Sequence, residues 1–165
     1  MIGLMSDSHD NLEAIEQAVE FFNKKGVLTV LHAGDIVSPF TERVFKELNA
    51  KLYFVFGNND GDRLLLKKWF EDFGAQCCSD FGDLHLEGRR IALLHGIYEE
   101  QIKAMAASGM FDVIVRGHTH TAGVVTDYGT PIINPGETTG LLTGRRTVAL
   151  LDPESLEVEI VELYQ

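Results

Sequence analysis

The chain has 165 residues, and its 14 Lys and Arg against 25 Asp and Glu give a formal net charge of −11. That length suits one domain over residues 1–165 with a core that needs no disulfide or metal staple, and 45% hydrophobic residues exclude a disordered acidic chain. The acidic excess argues against a broad basic surface and stable nucleic-acid binding, and no apolar run reaches the roughly 20 residues of a membrane helix.

The amino terminus, Met1-Ile2-Gly3-Leu4-Met5-Ser6-Asp7, lacks the basic region of a signal peptide. Residues 2–6 form a short apolar run. Over 11–25, Leu12, Ile15, Val19 and Phe22 share one helical face, with Asp10 or Asn11 as the cap and Gly26 as the stop. A second apolar run covers 28–32, a helix 40–48 and a third run 51–56. A further helix with Leu65, Leu66, Trp69, Phe70 and Phe73 inward ends at Gly74. Cys77 and Cys78 are adjacent, which suits neither a structural bridge nor metal spacing. Reduced thiols and a cytoplasmic location are expected.

The pattern then changes. Residues 84–94, broken by Gly88-Arg89-Arg90, read as a hairpin, followed by a helix near 99–108 and a strand at 112–116. Beyond Thr121 only strands and turns remain: 122–126, 131–134, 147–151 and 156–160. Leading βα units imply a parallel sheet, and the later hairpins imply a second, mixed one.

Five apolar runs end in residues able to bind a metal: Asp7 and His9, Asp35, Asn58, His95, and His118 with His120. Ligands bind at the carboxyl ends of strands in α/β sheets. Seven O and N donors without cysteine suit two ions of the Mn, Fe, Ni, Co or Zn type with one shared carboxylate, rather than a structural zinc or calcium. His85 reads as a solvent-face residue. His32 reads as a packed residue that hydrogen-bonds near the site. Asp60 and Asp62 are candidate caps of the following helix, with Asp62 preferred. Arg116 reads as a strand-edge ion pair, and Arg145 and Arg146 as solvated.

The set Asp7/His9, Gly34-Asp35, Gly57-Asn58-Asn59-Asp60, His95 and Gly117-His118-Thr119-His120 resembles the metallophosphoesterase (calcineurin-like phosphoesterase) superfamily. The length and the Asn134-Pro135-Gly136 segment are similar to its small single-domain prokaryotic phosphodiesterases. The resemblance implies an α/β fold, a four-layer α/β/β/α sandwich with two facing mixed β-sheets. It implies that Asp7, His9 and His120 hold one ion and that Asn58, His95 and His118 hold the other, with Asp35 bridging. Manganese is the first expectation, with Ni, Fe, Co or Zn as alternatives. The expected chemistry is hydrolysis of small phosphodiesters by attack of a metal-bridging hydroxide. Many relatives carry His where this chain has Asn59, which has no titratable proton and serves instead as a hydrogen-bond donor to phosphate. The resemblance leaves homo-oligomer formation open. Its alternatives are a phosphomonoesterase or a protein-interaction scaffold on the same fold.

Overall fold

The computed structural model describes residues 1–164. Two sheets carry the chain. The first takes strands β1 (Ile2–Met5), β2 (Thr29–His32), β3 (Lys51–Phe54), β4 (Gln76–Cys77), β10 (Thr147–Leu151) and β11 (Val158–Glu162), ordered β11-β10-β1-β2-β3-β4. β1 to β4 run parallel, and β10 joins β1 antiparallel with Leu4 opposite Ala149. The second takes β5 (Phe81–Leu86), β6 (Arg89–Leu94), β7 (Val113–Val115), β8 (Gly123–Val125) and β9 (Ile132–Asn134), ordered β5-β6-β7-β9-β8. There β6, β7 and β9 are parallel, with an antiparallel strand at each edge.

Three apolar clusters define four layers. Ile2, Leu4, Leu31, Leu93, Val113, Val115 and Leu151 interdigitate between the sheets. Alternate strand residues, such as Met5, Val30 and Phe54, face the opposite way. There they meet Ile15 and Phe22 of α1 (Leu12–Lys25), Phe45 of α2 (Glu42–Phe45), and Leu66 and Phe70 of α3 (Arg63–Asp72). On the far side Ile102 and Ala106 of α4 (Glu99–Ser108) cover Ala92, Ile114 and Ile132. This is the four-layer sandwich with two mixed sheets that the resemblance implies.

α1 starts where the Asn11 side chain accepts the N–H of Ala14, and it closes at Gly26. Asp62 caps α3 by accepting from Leu65. The helix expected over 40–48 is shorter. A 3₁₀ turn at Pro39–Thr41 precedes the four residues of α2. Asn23 of α1 then binds the carbonyl of Glu47 and the N–H of Asn49, each at 2.8 Å, and draws the chain away from the helical path. The last strand lies two residues beyond the expected 156–160, because Leu156 adopts a left-handed φ of 62° in the preceding turn. Among the described residues, no helix is long and apolar enough to cross a membrane.

Candidate metal centre

The loops leaving β1, β2, β3, β6 and β7 meet at the carboxyl ends of their strands, where the two sheets face each other. Backbone hydrogen bonds join them. Asp7 N–H donates to the Gly34 carbonyl at 3.0 Å, His9 N–H to the Asp35 carbonyl at 3.1 Å, and Gly117 N–H to the His95 carbonyl at 3.2 Å. His118 N–H reaches across to Asp7 Oδ2 at 3.1 Å.

The backbone is strained at these residues. Asp7, His9, Asp35, His118 and His120 have φ of 52°, 42°, 60°, 69° and 58°. Such a conformation costs a non-glycine residue about 1–3 kcal/mol and persists only where the surroundings impose it. Two glycines give the carboxylates room. A Cβ on Gly57 would overlap Asp35 Oδ1, and one on Gly117 would overlap Ser6 Oγ and lie 2.6 Å from Asp7 Oδ2.

All seven predicted donors come together. Asp35 Oδ2 stands 3.6 Å from His9 Nε2 and 3.4 Å from His95 Nε2. Asp7 Oδ1 stands 3.8 Å from His9 Nε2 and 3.4 Å from His120 Nε2. Asn58 Oδ1 lies 3.0 Å from both His95 Nε2 and His118 Nδ1. Two sets, Asp7 with His9 and His120, and Asp7 with Asp35 and His95, keep their donor atoms within 4.8 Å.

These atoms converge without satisfying one another. Among the described residues, Asp7 Oδ1 and His9 Nε2 are buried with no hydrogen-bond partner. His95 Nδ1 donates to the Ala33 carbonyl at 2.8 Å, so a neutral His95 turns a lone pair toward Asn58 and Asp35. A cluster of acceptors needs a proton or a cation between its members. The imidazole, carboxylate and amide donors fit divalent ions of the Mn–Zn series.

Proton affinities carry the same strain. The Asp35 carboxyl is pushed up by burial, but the adjacent His95 ring and the hydrogen bonds from Asn59 outweigh this and hold it well below the usual carboxylate range. His95 is pushed down by burial and up more strongly by Asp35, with a net rise. The neighbouring carboxylate of Asp7 raises His9. Burial, with the charges of His95 and Arg116, lowers His118.

A surrounding layer of side chains orients this set. His32 is buried, with Nε2 3.0 Å from Ser8 Oγ. Its Nδ1 accepts from Gly34 N–H, so Nε2 carries the proton and the pair is no nucleophile–base dyad. Ser6 Oγ donates to Asp7 Oδ2 at 2.6 Å. Asn59 donates to Asp35 through its backbone N–H at 2.8 Å and its side-chain amide at 2.7 Å. His85 is solvent-facing, as expected.

Three expectations are corrected. Asp60 caps no helix; buried, it accepts the backbone N–H groups of Asp35, Val37 and Gly57. Arg116 follows a central strand rather than an edge. It is buried, makes the expected ion pair with Glu99 and donates to the carbonyls of Gly96 and Gly117. Arg146 is largely covered, bound to Glu13 at 2.9 Å and Gln17 at 3.1 Å, whereas Arg145 stays exposed beside Glu162. Sequence reasoning also missed Glu137, which lies just past the noted Asn134-Pro135-Gly136 segment and is fully buried against His120.

The sequence matches the calcineurin-like phosphoesterase superfamily domain over residues 1–156. It is 39% identical over 163 residues to phosphodiesterase MJ0936 of Methanocaldococcus jannaschii, covering 98% of each chain. It is 30% identical over 173 residues to a probable metallophosphoesterase of Methanothermobacter thermautotrophicus, covering 98% of this chain and 91% of that one. A solved structure of a novel archaeal phosphodiesterase, 39% identical, superposes with a TM-score of 0.92 over 98% of this chain and 99% of the other. The facing sheets, the loops that meet at their carboxyl ends and a match over nearly the whole chain lead to one assignment: the protein belongs to the calcineurin-like phosphoesterase superfamily.

Proposed function

We propose that the protein is a metal-dependent phosphodiesterase that hydrolyses small phosphodiesters with two divalent ions, manganese first among them. The observation that carries this reading is the position of the Asp35 carboxylate, 3.6 Å from His9 Nε2 and 3.4 Å from His95 Nε2, with acceptors on both sides of it. In this reading Asp7, His9 and His120 hold one ion and Asn58, His95 and His118 the other, with Asp35 shared. Ions bound there supply Lewis acidity toward phosphoryl oxygens and acidify water at neutral pH.

The chain's own groups do the rest. Asp35, kept ionised, contributes negative charge between the two imidazole sets. The Asn59 amide has two protons. One is given to Asp35, and the other is free to donate to a non-bridging phosphoryl oxygen. Asn59 cannot protonate a leaving group, so good leaving groups are favoured. The guanidinium of Arg116 is committed to Glu99, Gly96 and Gly117, which withholds it from the extra charge of a monoester dianion and favours diesters.

The test is hydrolysis of bis-p-nitrophenyl phosphate by the metal-free protein, with and without added Mn²⁺, and by Asp35→Asn. Turnover that needs Mn²⁺ and is lost in Asp35→Asn supports the reading. Equal, metal-independent background in every sample overturns it.

A further inference from the structure

His120 has its second nitrogen occupied by a residue outside the predicted ligand set. Its Nδ1 lies 2.7 Å from Glu137 Oε2. Glu137 is fully buried, and its carboxylate also accepts from Leu142 N–H, Thr143 N–H and Thr143 Oγ1. With donors from Leu142 and Thr143 already aimed at it, this carboxylate is placed as an acceptor, and the proton in the contact with His120 sits on Nδ1.

The backbone fixes where this carboxylate stands. The two residues after Glu137 are bound to the loop leaving β1: Thr138 N–H donates to the Ser6 carbonyl at 2.9 Å, and Thr139 N–H to the Asp7 carbonyl at 3.1 Å. On the other side the Glu137 carbonyl accepts from Thr147 N–H in β10 at 2.9 Å. Glu137 is therefore registered against both Asp7 and His120. With Nδ1–H given to Glu137, the unprotonated Nε2 faces Asp7 Oδ1 at 3.4 Å.

We propose that Glu137 is a positioning residue that selects the Nδ1–H tautomer of His120, turns its Nε2 lone pair into the site and makes that nitrogen a stronger donor. The inference rests on the metal-centre reading for its functional meaning, while the tautomer itself is a property of the protein alone. A carboxylate behind a ligating imidazole fixes the ring and raises its basicity, and its loss typically costs about 10–100-fold in metal affinity. A glutamine at this position presents an N–H₂ group either to the ring or to the amides of Leu142 and Thr143. Facing the ring, it forces His120 into the Nε2–H form, with a proton where the lone pair should be.

Two readouts test this. Long-range ¹H–¹⁵N spectra of the metal-free protein, taken above neutral pH, report the His120 tautomer. Calorimetry reports Mn²⁺ affinity. The wild type is expected to show Nδ1–H. Glu137→Gln is expected to gain Nε2–H and to bind Mn²⁺ about 10–100-fold more weakly. Thr143→Val, a change at an exposed position that removes one donor to Glu137, is expected to weaken Mn²⁺ binding less, in the same direction. An Nε2–H tautomer in the wild type overturns the inference without any variant. So does a folded Glu137→Gln or Thr143→Val protein with wild-type Mn²⁺ affinity. A wild type that binds no Mn²⁺ at all sinks the metal-centre reading instead, and the tautomer spectrum still judges Glu137.

Discussion

The carboxylate of Asp60, in the loop after β3, accepts the backbone N–H of Asp35, in the loop after β2, at 3.1 Å. The same carboxylate takes Val37 N–H and Gly57 N–H, each at 2.6 Å, so one side chain clasps two site loops. Asp60→Asn keeps the size but sets an N–H₂ group against at least one of those amides. Leaving a buried donor unpaired costs about 1–3 kcal/mol. Urea unfolding of the metal-free variant should show that loss, and a stability equal to wild type would refute the clasp.

Gly57→Ala and Gly117→Ala should damage the site more than the fold. Their methyl groups would enter space held by Asp35 Oδ1 and by Ser6 Oγ with Asp7 Oδ2. Overpacking of this kind costs about 1–3 kcal/mol, and the carboxylates must move to relieve it. Activity should fall at least about tenfold, since small displacements at a reacting centre cost up to about 10²-fold. Steady-state turnover of a chromogenic diester beside the melting temperature separates the two effects.

The buried His32 makes stability depend on pH. Burial pushes its imidazole down from 6.5 to about 3. The folded value lies below the unfolded one, so the unfolded chain takes up the proton first. The contribution is whole above pH 6.5 and drains away as pH falls toward 3, by a few kcal/mol. Asn at this position has no such proton. Between pH 7 and pH 4.5 the denaturation midpoint of His32→Asn should fall less than that of the wild type. Parallel curves would remove His32 from the account.

Replacing Asn59 with His should raise turnover on diesters with poor leaving groups, by up to about 10²-fold if the imidazole acts as a general acid. The backbone N–H of residue 59 still reaches Asp35, so Mn²⁺ content should hold. No gain at intact Mn²⁺ content would remove position 59 from the leaving-group side of the reaction.

Chelation should lower the melting temperature. An ion that binds only the folded state at 100 times its Kd adds about 2.7 kcal/mol. Mn²⁺ added back to the chelated, dialysed protein should restore the midpoint, whereas an unchanged midpoint would speak against a native-state ion.

The sequence exposes what depends on local order along the chain. Alternation and helical spacing mark α1, α3 and the strand pairs, and each of the seven donors follows an apolar run, so their meeting at the strand ends could be foreseen. The rest depends on partners far away in sequence. Asp60 looks like a cap until Val37 and Asp35 are seen around it, 23 and 25 residues away. Glu137 carries no motif of its own, and its partner His120 is 17 residues distant. The two residues of β4 are too few to show any period. The helix after Pro39 is cut short by Asn23, a residue of another helix.

The bond from His118 N–H to Asp7 Oδ2 spans 111 residues and crosses from one sheet to the other. Neither sheet alone holds a complete donor set: Asp7, His9, Asp35 and Asn58 belong to the first, and His95, His118 and His120 to the second. Closing so large a loop comes late and slowly in folding. A chain still emerging during synthesis, short of residue 118, has its first sheet's carboxylates and asparagine but only two of its four site imidazoles. In the proposed two-ion reading, ion capture is therefore a readout of completed tertiary structure.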